Sequence, residues 1–204
     1  AVTTVCLFAI PVNMAAQNWD DHNRHARYAT TAHARNYLNS CAPNAILFTY
    51  GDNDTFPLWY VQEVEGVRRD VRVVNLSLLS GSWYIDQMKR KAYESSGVPI
   101  SFTHEQYRDG KRDYVLIRDQ FKEGNLKDVM EFVASDLPQT KLQGYIKELD
   151  FIPTRNVILP VDSAKVIANG TVKPQDADQI VKDLRLHLPM QGLTKSQLMV
   201  LDIL

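Results

Sequence analysis

The stretch from Ala45 to Leu79 constrains this chain more than any other part of it. Ala45 to Thr49 (AILFT) is a short apolar run of the kind that forms a buried strand. Tyr50-Gly51-Asp52-Asn53-Asp54 comes next as a tight polar turn. Asp54 or Thr55 stands where a helix cap is expected, with Pro57 assigned to the first turn, where a missing N–H does no harm. Leu58, Trp59, Val61 and Val64 carry the helix to Gly66, a natural stop. Arg68-Arg69-Asp70 then leads into Val71 to Leu79, a second strand. Strand, turn, helix and strand at this spacing read as a right-handed βαβ unit with parallel strands. The expectation is an α/β fold, a Rossmann-like three-layer arrangement with a mainly parallel sheet, begun by this unit at about residues 45–79.

The rest of the chain is less sharply patterned. Trp83 to Tyr93 predicts a helix, Asp113 to Ile117 a strand, and Leu126 to Ala134 a helix with Leu126, Val129, Met130 and Val133 on one face. Asn156 to Val161 and Lys165 to Ala168 read as short strands, and Asn169-Gly170 is a turn signal that could join a hairpin. Pro174 opens a predicted helix through Leu184, and Leu198 to Leu204 reads as an apolar strand. Trp19 to Ser40 reads as an exposed helix. Ala1 to Ala16 carries no charge and is shorter than the roughly 20 residues needed to cross a bilayer. It reads as a first strand broken by Pro11, as a signal-peptide remnant, or as the last turns of a membrane helix, and local pattern favours the strand. Ending on an apolar run, the chain is expected to continue beyond Leu204.

Charge and cysteine usage narrow the function classes. Lys and Arg number 23 against 24 Asp and Glu, which supplies no basic field for nucleic acid. Cys6 and Cys41 lack zinc-type spacing, leaving idle thiols or one disulfide. No nucleophile elbow, HExxH or dinucleotide fingerprint occurs, so a complete enzyme is not expected.

The loop Gly51 to Thr55 is the leading candidate site, because open α/β sheets place ligands at the carboxyl ends of their strands. Asp52 and Asp54 form a D-x-D pair whose hard oxygens could share a divalent cation. The alternative is a helix cap with an Asx-turn at Asp52 or Asn53. Tyr50, Phe56, Trp59, Tyr60, Trp83 and Tyr84 could form a sugar-stacking wall or simply be core. The ligand-binding candidates are therefore Asp52, Asn53, Asp54, Thr55, Trp59 and Trp83, with Asp52 and Asp54 as the metal pair. Asp20, Asp21, His22 and His25 form a second cluster, a metal site if helical and otherwise solvated residues. Asn169-Gly170-Thr171 matches a glycosylation sequon and reads more simply as a turn.

The block GDNDTFPLWYVQEVEGVRRDVRVVNLSLL, followed by WYIDQMKRKAY, resembles the transmembrane protein O-mannosyltransferase-like family in its bacterial, Bacteroidetes-type form. QNWDDHNR upstream and QYRDGKRDYVLIRD, LPVDSAKVIANGTV and LMVLDIL downstream extend the resemblance over nearly the whole chain. The resemblance implies a soluble portion after membrane helices, with residues 1–18 as the end of such a helix or a linker and 19–204 as one α/β domain truncated at its C-terminus. It implies a bacterial inner-membrane protein whose domain faces the periplasm, is partnered by its own membrane-embedded region and binds a glycan or acceptor polypeptide. The family's catalytic acidic residue is expected in an early loop outside this chain, so none is carried over. Asp52, Asn53, Asp54, Thr55, Phe56 and Pro57 match a family motif. Three functions stand as expectations: an accessory domain of a glycosyltransferase-like protein, an autonomous metal-dependent transferase or hydrolase using Asp52 and Asp54, or a structural and assembly domain.

Overall fold

A computed structural model describes residues 2–143 and 148–204. The predicted βαβ unit is present. Strand β1 (Ile46–Thr49) pairs in parallel with β2 (Arg72–Asn75). Two helices precede β1, namely α1 (Val2–His22) and α2 (Ala29–Asn39), and α3 (Asp52–Glu65) links the two strands. Side chains alternate across this sheet as the pleat demands. Leu47 and Val73 join a small cluster with Ala34, Leu38, Leu58 and Val61 from α2 and α3. Ile46, Phe48 and Val74 face the main core instead.

The sheet stops at two strands, and the Rossmann-like three-layer expectation is overturned. The chain turns away directly after β2. The Asn75 side-chain oxygen accepts the N–H groups of Ser77 and Leu78, at 2.8 and 3.1 Å, and so folds the next residues into a 3₁₀ turn at Leu78–Ser80. Helix α4 (Ser82–Met88) comes next, and no third parallel strand joins β1 and β2 among the described residues.

The remaining strands form two separate mixed sheets. After α5 (His104–Tyr107), strand β3 (Tyr114–Ile117) takes a central place in the first. The others are β4 (Gly124–Asn125), β5 (Lys141–Leu142), β6 (Leu149–Ile152), β7 (Asn156–Pro160), β8 (Asp183–His187) and β9 (Gly192–Thr194). One sheet runs β5-β6-β3-β9, in which β3 is parallel to β6 and antiparallel to β9. The other runs β4-β7-β8, with β7 antiparallel to β8 from Asn156 opposite His187 to Pro160 opposite Asp183. Helices α6 (Leu126–Ala134) and α8 (Lys195–Ile203) close the main core with Val129, Met130, Val133, Leu198 and Met199.

Several local expectations are corrected. Leu198 to Ile203 lies in α8, with Leu204 at its C-cap, and not in a strand, because Thr194 and Gln197 form a capping box that starts a helix three residues earlier. Lys165 to Ala168 belongs to α7 (Ser163–Ala168), whose first turn is held by the Asp162 side chain accepting the Lys165 N–H. Asn169-Gly170 is a turn, as expected, but it ends this helix and joins no hairpin. After Pro174 only a 3₁₀ segment to Gln179 forms, and Asp183–His187 is a strand whose alternating Leu184 and Leu186 fit the sheet period. The two cysteines are free.

The N-terminal stretch is helical through Pro11, which overturns the strand reading favoured by local pattern. None of the described residues of α1 is buried. Among the described residues no helix is long and apolar enough to cross a membrane.

Candidate functional site

The structure divides the six candidate residues among three environments. Thr55 is fully buried and is a hub of hydrogen bonds. Its hydroxyl donates to the Gly51 carbonyl at 2.7 Å, and accepts from the Asn75 side-chain amide and the Thr49 hydroxyl, each at 2.8 Å. That arrangement uses the donor and both acceptor sites of the hydroxyl. It ties the ends of β1 and β2 to Gly51, whose φ of 83° lies in the left-handed region that favours glycine.

Helix α3 begins directly after Gly51, with no side-chain cap, so Asp54 is not its cap. Pro57 consequently sits in the second turn, not the first, and denies a hydrogen bond to the carbonyl four residues back. Asp52 and Asp54 are exposed in the first turn, where a carboxylate suits the positive end of the helix dipole. Among the described residues no group of three or more His, Cys, Asp or Glu side chains is gathered to hold a metal ion, at this loop or around His22 and His25. Asn53 and Asp54 instead border a small pocket of about 150 Å³ against α2, with His33 and Tyr37 opposite.

Trp59 and Trp83 come together elsewhere, in a cleft of about 400 Å³ between α3, β2 and α4. Trp59 is half-buried and touches both hydrophobic clusters. Trp83 is 59% exposed, edge-on to the Tyr84 ring at a centroid distance of 5.5 Å. Its indole lies over Gly81, where an added Cβ would come within 2.9 Å of Nε1. Tyr84 is buried, accepts the Asn75 N–H through its hydroxyl, and has its ionisation pushed up by burial. Tyr93 closes the rim. Its hydroxyl donates to Glu63, which raises the tyrosine pKa, and its ring stacks under the Arg69 guanidinium at 3.7 Å. Gln87 adds an exposed amide to the lining, whereas the Gln62 amide is buried and donates to the Arg68 and Val71 carbonyls, each at 2.8 Å.

Beneath this wall lies Arg72, which is absent from the residues that the sequence singles out. It is 7% exposed. Its Nη atoms donate to Ser95 Oγ and to the carbonyls of Gln87, Met88 and Arg90 around the end of α4. No carboxylate pairs with it among the described residues, and its Nε has no hydrogen-bond partner. Burial lowers its pKa, as expected for a cation removed from water without a counter-ion. The available signal was a charged residue inside an otherwise buried strand, since arginine is rarely buried unless paired.

The arrangement can grip a flat, hydroxylated molecule: aromatic side chains on two sides, the Gln87 amide and a guanidinium at the edges, and room for a ring or two. No curated protein and no solved structure was found to match the chain. Residues 30–204 match the family model of the TMEM260-associated domain 2, and with most of its length covered the chain belongs to that family.

Proposed function

We propose that this chain is a glycan-binding accessory domain of a membrane glycosyltransferase-like protein of the TMEM260 type. The observation that carries the reading is the cleft of about 400 Å³ walled by Trp59, Trp83, Tyr84 and Tyr93. Aromatic rings stack on the apolar faces of sugars while amide and guanidinium groups at the rim meet hydroxyls, the usual division of labour in a ligand pocket. The family membership supplies the context of a glycosyltransferase-like parent.

In this reading the domain faces the periplasm beside its own membrane-embedded region and holds a glycan, or a glycosylated segment of an acceptor polypeptide. The exposed apolar residues Val5, Leu7, Phe8, Ile10 and Val12 of α1 support a place next to lipid.

Tryptophan fluorescence tests the binding. Neutral methyl hexosides titrated into the chain should shift its emission saturably, and Trp83→Ala should abolish the response while the circular dichroism spectrum stays unchanged. Absence of saturation with every hexoside, neutral or acidic, in the wild-type chain would sink the reading.

A further inference from the structure

We propose that the cleft selects saccharides carrying a negative charge, an inference that rests on the glycan-binding reading and names the chemistry of its ligand. Arg72 stands behind the cleft with a full positive charge and no carboxylate partner among the described residues. Its neighbours are a hydroxyl and three main-chain carbonyls, which orient the guanidinium but do not neutralise it. Arg69 adds a second guanidinium at the same rim. It is held flat on Tyr93, its Nε has no hydrogen-bond partner, and its contact to Glu94 is a looser 3.5 Å.

Acidic groups offset the Arg69 charge and leave Arg72 without a carboxylate. Among the cleft's lining residues Glu63 is the one carboxylate, and it accepts the Tyr93 hydroxyl at the rim, which leaves its charge in place. Glu94 is largely solvated, with its side chain 63% exposed. With Glu94 paired to Arg69, the charge left without a carboxylate against it is that of the buried Arg72. A buried cation lacking a counter-ion is costly to maintain, and an anion entering the cleft would supply what is missing. The ring faces of Trp59 and Trp83 fit the sugar body, and the guanidinium edges fit a carboxylate or phosphate on it.

The test compares methyl β-glucuronide, glucose 1-phosphate, methyl β-glucoside and inorganic phosphate by calorimetry on the whole chain. The acidic sugars should bind roughly tenfold or more tightly than the glucoside, by the strength of one charge-assisted contact. That preference should shrink at about 0.5 M salt. Tighter binding of the glucuronide assigns a uronate as the ligand, and tighter binding of glucose 1-phosphate assigns a sugar phosphate. Arg69→Gln, which disturbs none of the bonds at the end of α4, should cut the preference several-fold, weakening the acidic sugars more than the glucoside. Arg72→Lys, which keeps the charge, should retain it. Equal affinity for glucoside and glucuronide overturns the charge selection and leaves the glycan reading standing. No saturation with any sugar overturns both. Inorganic phosphate binding as tightly as the sugars overturns the proposal in favour of a plain anion site.

Discussion

The Arg72 guanidinium donates to the Met88 carbonyl at 3.1 Å, so a strand residue in the βαβ unit closes the last turn of the helix that comes after it. Gln87 and Arg90 carbonyls and the Ser95 hydroxyl share the same side chain. Arg72→Met should therefore remove the donor to the Arg90 carbonyl, leave the Gln87 and Met88 carbonyls only the N–H groups of Arg90 and Val98, and lower unfolding free energy by about 1–3 kcal/mol. Arg72→Lys should cost less than Arg72→Met but more than nothing, since an ammonium cannot span the same fork of acceptors. Urea unfolding reads both, and a loss under about 0.5 kcal/mol for Arg72→Met would show that the contacts carry no net stability.

The candidate loop should respond unevenly to mutation. Thr55→Val removes a hydroxyl that joins Thr49, Gly51 and Asn75, at a cost of about 2–3 kcal/mol. Asp52→Ala and Asp54→Ala remove exposed charges from the first turn of α3 and should each cost about 0.3–1 kcal/mol, less in salt. If either aspartate costs as much as Thr55, the loop has a role that its exposed carboxylates do not reveal.

Acid should probe the junction between α2 and the sheet. Arg68 holds the Asp70 carboxyl down at about 2, helped by the Asn44 N–H at 2.9 Å. A folded-state pKa below the unfolded value gives stability that is fully present above the unfolded pKa, about 4, and lost as pH falls toward 2. Asp70→Asn should flatten the stability curve in that window and leave its slope near neutrality untouched. Unfolding curves at about pH 5, 4 and 3 decide it, and an unchanged acid slope would count against the pair.

Gly81 should matter to the cleft without mattering much to the fold. Gly81→Ala keeps an ordinary backbone conformation, φ −87° and ψ 129°, but its methyl would press on the Trp83 indole from 2.9 Å. The exposed indole can swing aside. Thermal stability should change by less than about 1 kcal/mol, while the tryptophan response to sugar weakens severalfold. Sugar binding at wild-type strength would mean that Trp83 does not touch the ligand.

The legible part of the fold was the part whose signals are local. Ala45 to Leu79 showed its strand, helix and strand because apolar runs, a polar turn and Gly66 succeed one another in order. The sheet itself was not legible, since one βαβ unit says nothing about whether a third strand will arrive. Here the Asn75 side chain decides, by capping the N–H groups of Ser77 and Leu78. Leu198 to Leu204 misled because apolar density outweighed the Thr194–Gln197 capping box just before it. At the site, Trp59 and Trp83 were picked out by residue type, and their shared cleft is found in the structure. Arg69 and Arg72 were missed because a charge in a short linker or strand looks solvated until its neighbours are known.

Every residue lining the cleft lies between Trp59 and Ser95. A site assembled from so short a run needs only local loop closures, which are quick compared with pairing distant strands. During synthesis from the N-terminus these residues leave the ribosome well before β6 to β9 exist. The walls of the cleft can meet early, ahead of the mixed sheets. Drift in the C-terminal half that preserves the shared core can then proceed without redrawing the binding surface, which makes this segment a module that selection can retune on its own.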